Sequence, residues 1–168
     1  MSDEIVNRVS SSDLITIDLV DYSPSITILE FDLKEFLFNG EILKEKEFRS
    51  QLKKFDFSVF SNTVVAVCCS SDAIVPMWAF MLISSYLNSV SSKFYFGKKD
   101  QVFQILFLQN IESIDTSEFE GKKVIIKGCG SIKVSEEHYI TISKKLLPYV
   151  DSLMFGEACS AVPVFKKI

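Results

Sequence analysis

Four short runs in the second part of the chain, TVVAVC (63–68), KFYFG (93–97), KVIIKG (123–128) and SLMFG (152–156), are apolar at most positions and rich in β-branched or aromatic side chains. Runs of that kind read as strands. Near-continuous apolarity means burial on both faces, as in a parallel sheet covered by helices. The segments between them carry helical periodicity and predict helices at about 75–90, 99–108 and 135–147. Strand alternating with helix predicts an α/β fold: an open, mainly parallel sheet with flanking helices. The 75–87 segment is apolar almost all round, which predicts the most buried helix of the protein.

The first sixty residues read differently. LITIDLVDY (14–22) and SITILEFDL (25–33) alternate apolar with polar and are divided by Ser23-Pro24, predicting a small antiparallel N-terminal β-hairpin. An amphipathic helix over 43–54 follows, with Leu43, Phe48 and Leu52 directed inward. No linker or low-complexity stretch intervenes. Residues 1–168 are therefore expected to form a single domain, with antiparallel strands and an amphipathic helix in 1–60 and the strand–helix repeats of the core sheet in 61–168.

Composition narrows the partners. Apolar residues make up 48%, with 15 Phe against 6 Gly and 4 Pro, which excludes a disordered chain. A net charge of −4 with lysines scattered among glutamates, as in LKEKEFRSQLKK (43–54), leaves no basic stripe for nucleic acid. MSDEIVNR lacks the basic and apolar regions of a signal peptide, and the longest apolar run, 73–87, is interrupted by Pro76, Ser84 and Ser85. The expectation is a cytoplasmic protein with no membrane partner, whose four cysteines are reduced and free, catalytic or metal-bound.

Three of the cysteines recur in one setting. CSSDAIVP starts at Cys69, CGSIKVS at Cys129 and CSAVP at Cys159; each follows a predicted strand and leads through a Ser- or Gly-containing turn to Val-Pro or Val-Ser. The carboxyl ends of parallel strands share one edge, where ligands bind, so three thiols far apart in sequence can converge there. Soft thiolates select zinc, copper(I) or iron–sulfur rather than calcium or magnesium, and three of them with Asp72 as an oxygen donor suit zinc or an iron–sulfur cluster. The plain alternatives are core filling for each thiol and a helix cap for Asp72. Cys68 fits core filling best, because in an alternating strand it points opposite to Cys69. No CxxC pair is present.

Other residues weigh less. His138 is the one histidine and reads as an exposed helix residue, so no histidine-based triad can be placed. Ser135 suits the cap of its helix. Trp78, Met77, Phe80 and Met81 read as core, and Lys127 and Glu157 either tune the neighbouring thiols or face solvent. No phosphate loop or GxGxxG is present, so no nucleotide is indicated.

The segments CSSDAIVPMWA (69–79), IKGC (126–129) and FGEACSAVP (155–163), with EIVNRV (4–9) and FDLKEFLFNGEILKEKEFR (31–49), resemble an uncharacterised bacterial family, domain of unknown function 2480. The resemblance covers nearly the whole chain. It implies pattern cysteines at Cys69, Cys129 and Cys159 and a pattern aspartate at Asp72, with Cys68 outside the pattern. One departure is Ser135, where the family more often has proline. Members are often encoded near iron–sulfur assembly components, which implies an accessory role with those proteins as partners.

Three readings follow. The first is a metal- or cluster-binding protein using Cys69, Cys129 and Cys159 with Asp72. The second is a thiol enzyme with Cys69 as nucleophile, which lacks an evident histidine base and leaves enzymatic activity the weaker expectation. The third is a non-catalytic scaffold whose cysteines are structural and whose exposed aromatics form a homodimer or partner patch.

Overall fold

The computed structural model describes residues 14–91, 93–128 and 130–168. The strands form two sheets. One has the order β2-β3-β4, with β2 at Ile28–Asp32, β3 at Val64–Cys68 and β4 at Phe94–Phe96. The other has the order β1-β5-β6-β7, with β1 at Leu14–Asp18, β5 at Lys123–Lys127, β6 at Ser152–Phe155 and β7 at Val162–Lys166. Helices α1 (Glu45–Lys54), α2 (Met77–Leu87), α3 (Lys99–Glu112) and α4 (Glu136–Leu146) connect them. The described residues fall into two compact units: one within 25–105, and one within 14–24 together with 106–168. Among the described residues no helix is long and apolar enough to cross a membrane.

The N-terminal antiparallel hairpin expected from sequence does not form. β1 lies parallel to β5, Leu14 opposite Lys123, and β2 lies parallel to β3, Ile28 opposite Val64. The cause is local. Each strand ends in an aspartate whose Oδ1 accepts the N–H two residues on: Asp18 from Val20 at 3.1 Å, Asp32 from Lys34 at 3.0 Å. That bond starts a 3₁₀ helix at Leu19–Tyr22 or Leu33–Phe36 in place of a hairpin turn. Leu19 and Leu33, both 0% exposed, anchor the exits. The alternation in sequence is that of an edge strand, which has the same period whichever way its partner runs. The antiparallel pair is C-terminal, β6 with β7.

The two units trace the same path. Phe48, Leu52 and Phe60 are buried in one, and Phe107, Ile111 and Phe119 in the other, at one constant spacing (48 against 107, 60 against 119). Asp56 accepts the N–H of Ser58, and Asp115 that of Ser117, each at 3.0 Å. Before the central strand the chain turns through a left-handed residue, Asn62 at φ 59° and Gly121 at φ 66°. α2 buries Ala79, Ile83 and Leu87, and α4 buries His138, Ile142 and Leu146. After the third strand the Gly97 N–H donates to the Val67 carbonyl at 2.9 Å, and the Gly156 N–H to that of Ile126 at 3.0 Å.

Every residue of β3 is buried. In its unit Phe31 sits among Phe36, Phe55, Phe57 and Phe60, with ring centroids 5.0, 5.5, 5.8 and 6.0 Å away. Stacked and edge-on pairs of this kind account for the phenylalanine-rich composition. α2 is not the deeply buried helix its apolarity predicts: Met77 and Met81 are 75% and 72% exposed.

The repeated left-handed turn makes a prediction. Gly121→Asn, installing the residue used at the matching position, is expected to be nearly neutral, whereas Gly121→Val should cost about 1–2 kcal/mol because a β-branched side chain disfavours positive φ. Denaturant unfolding of the two variants checks this; equal losses would contradict it.

Candidate functional site

The strand-ending aspartates place carboxylates beside the last residue of each central strand. In the parallel register Asp32 lies opposite Cys68, and Glu30, two residues earlier, shares its face of the sheet. Ligand atoms of Glu30, Asp32 and Cys68 all lie within 4.8 Å of one another, the group of three metal-capable residues found among the described residues. A carboxylate pair with a thiolate suits a borderline divalent ion such as zinc.

Asp32 is held firmly. Its Oδ1 accepts the Ser70 N–H at 2.9 Å as well as that of Lys34, tying the loop after β3 to the end of β2. Burial acts to raise its pKa, but the hydrogen bonds from Ser70 and Lys34 outweigh it and hold the carboxyl below the usual carboxylate value. Cys68 goes the other way. Burial first, then the charges of Glu30 and Asp32, push its thiol up to about 11, so it is neutral at neutral pH unless a cation takes its proton's place.

The matching corner of the other unit is built differently. Lys127 stands where the repeat has Cys68, and its Nζ lies 3.4 Å from Asp18 Oδ2 and 3.6 Å from Glu157 Oε1. Glu157, and then Asp18, raise the Lys127 pKa. These two charged residues thus serve each other, whatever their effect on a thiol.

The residues singled out from sequence fall as follows. Cys69 follows β3 directly, half-buried, its Sγ 3.4 Å from Ser71 Oγ and 3.7 Å from the Ser71 carbonyl. α2 begins only at Met77, so Cys69 does not sit on that helix N-terminus. Asp72, on the same loop, is exposed and does not take the helix-cap role, because α2 has Pro76 at its N-cap and no side-chain cap. Cys159 is exposed in the β6–β7 connection, where the Ser160 N–H donates to the Glu157 carbonyl at 2.9 Å. Cys69 and Cys159 belong to different units. Cys129 and the 4–9 segment lie outside the described residues.

His138 departs from expectation: it is 0% exposed, not a surface residue. Its Nδ1 accepts the Ser135 N–H at 2.9 Å and its ring lies 4.2 Å from that of Phe107, so it closes the start of α4, where Ser135 is the N-cap. Glu30 and Asp32 were missed in the sequence; the available signal was a pair of acids two apart on a strand whose other face is apolar.

Two outcomes are expected. Iodoacetamide at neutral pH should modify Cys159 and Cys69 well before Cys68, read by mass spectrometry of peptides; Cys68 reacting as fast as Cys159 would contradict its buried, protonated state. Asp32→Ala should lower stability by about 1 kcal/mol at neutral pH, as lost aspartate caps do. Because the Asp32 pKa is depressed on folding, its contribution is present above the unfolded carboxylate value, roughly 3.9, and is lost as pH falls through the folded value. The gap between variant and parent should therefore close in acid.

No curated protein matches the chain. No solved structure matches it either. Residues 3–167 match the family described as "Protein of unknown function (DUF2480)", and the chain belongs to that family.

Proposed function

We propose that this is a cytoplasmic metal-handling protein that holds zinc or an iron–sulfur cluster through Cys69, Cys129 and Cys159, with Asp72 as an oxygen donor, and that it serves iron–sulfur assembly proteins as an accessory rather than as an enzyme. The observation that carries the reading is the contrast among the thiols: Cys69 and Cys159 are accessible just past the ends of β3 and β6, whereas the adjacent Cys68 is buried and protonated. Thiolate ligands must be deprotonated and reachable. A second ligand set is favoured by its own geometry: Glu30, Asp32 and Cys68 would hold one divalent ion with two oxygens and one sulfur.

The experiment is iron, zinc and acid-labile sulfide content of protein purified without oxygen, with its visible spectrum. Iron with sulfide is expected, lost in Cys69→Ser, Cys129→Ser and Cys159→Ser but kept in Cys68→Ala. Zinc alone, lost in Glu30→Gln, Asp32→Asn and Cys68→Ala, would give the site to the second set. Neither metal nor sulfide would overturn metal handling and leave the interaction reading.

A further inference from the structure

The repeat exposes a difference between the units that folding does not explain. In each, the helix after the central strand and the strand that follows it enclose a cleft. Phe80 meets Phe96 edge-on at 5.5 Å and 86°, and Tyr139 meets Phe155 at 5.5 Å and 78°. Ser84 and Phe94 line the first cleft where Ser143 and Leu153 line the second. The second is bordered by β7, whose Val164, 59% exposed, forms part of its wall, and holds about 220 Å³. Among the described residues no strand borders the first in that way, and it holds about 770 Å³.

The rim changes in the same sense. Lys133 and Glu136 of one unit correspond to Ile74 and Met77 of the other, which are 92% and 75% exposed. Phe96 is 73% exposed where its counterpart Phe155 is 43% exposed. Large apolar side chains gathered around an open cleft mark a binding surface.

The backbone is also available. The Gly97 N–H and the Lys93 carbonyl bond to β3, so the period-two alternation of the strand turns the N–H and C=O of Phe94 and Phe96 to the outer edge of β4. Among the described residues no strand pairs there. Their counterparts Leu153 and Phe155 pair antiparallel with Phe165 and Val162 of β7.

We propose that the β4 edge and its cleft bind an extended apolar peptide segment of a partner protein, which adds antiparallel to β4 as β7 does to β6, and seats one apolar side chain in the cleft. Main-chain hydrogen bonds supply affinity in such strand addition, and the pocket supplies selectivity. Among the described residues no charged side chain lines the cleft, so the seated residue is uncharged, and the volume takes a large apolar side chain such as leucine, methionine or phenylalanine.

The test is fluorescence anisotropy of the full chain with two labelled peptides, the β7 sequence AVPVFKK and the same peptide with phenylalanine at the position of Val164. Both should bind saturably, the phenylalanine peptide more tightly, and aspartate at that position should weaken binding at least about tenfold. Phe96→Pro removes an outward N–H and should weaken binding similarly. Should that variant fold poorly, the double variant Ile74→Lys, Met77→Glu, confined to exposed positions, should lose binding with its melting temperature unchanged. Failure of both peptides to bind at millimolar concentration, or binding indifferent to these changes, would overturn the proposal. So would a concentration-dependent dimer that the double variant dissolves, because the edge would then belong to a second copy. Cys69 lines the same cleft, so the separating control is Phe96→Pro, which touches neither ligand set: its metal content should be unchanged while peptide binding falls, which keeps this outcome separate from the fate of the metal reading.

Discussion

The aspartate that ends each edge strand is the constraint on which the rest depends. A carboxylate that captures the N–H two residues on makes strand continuation impossible and turns the backbone into a 3₁₀ turn. Asp18 and Asp32 thereby keep β1 and β2 from folding back on one another, and each strand becomes the parallel edge of a separate sheet, of four strands for β1 and three for β2. The same carboxylates end up beside the last residue of a central strand. One local bond thus decides the topology and supplies the chemistry of the strand ends.

What the two units do with that carboxylate differs. One neutralises it with Lys127, which also reaches Glu157, giving an ion-paired corner partly open to water. The other sets it against a buried thiol and a second carboxylate. Charge is balanced by the chain itself in the first case. In the second, protonation of Cys68 limits the negative charge, and an external cation would do so more completely. The two units thus carry unlike strand ends on similar packing.

The central strands were legible because β3 and β5 are apolar at successive positions, and the helices between them because their buried residues recur with helical spacing. The direction of β1 and β2 was not legible, since alternation reports exposure and not the partner. Glu30, Asp32 and Cys68 meet only through the register of β2 on β3, which no local pattern encodes. His138 looked like a surface residue because a single imidazole on an amphipathic helix carries no sign of burial; its bond to Ser135 permits it. The repeat went unread because the positions that coincide, such as Asp56 with Asp115, Phe60 with Phe119 and Gly97 with Gly156, are sparse turn and core residues with little similarity between them. Convergence of Cys69, Cys129 and Cys159 was inferred from an edge common to one sheet, whereas the strands are divided between two.

The order of the strands along the chain has a further consequence. The unit spanning 25–105 is contiguous, so every strand it needs has been synthesised once its last residue leaves the ribosome. β1 is made before any of it yet pairs with β5, so an apolar edge must stay unsatisfied through the synthesis of the whole intervening segment. Long-range parallel pairing of this kind is slow and leaves a strand exposed to other chains. A chain halted after the contiguous unit would carry β1 without the strand it pairs with.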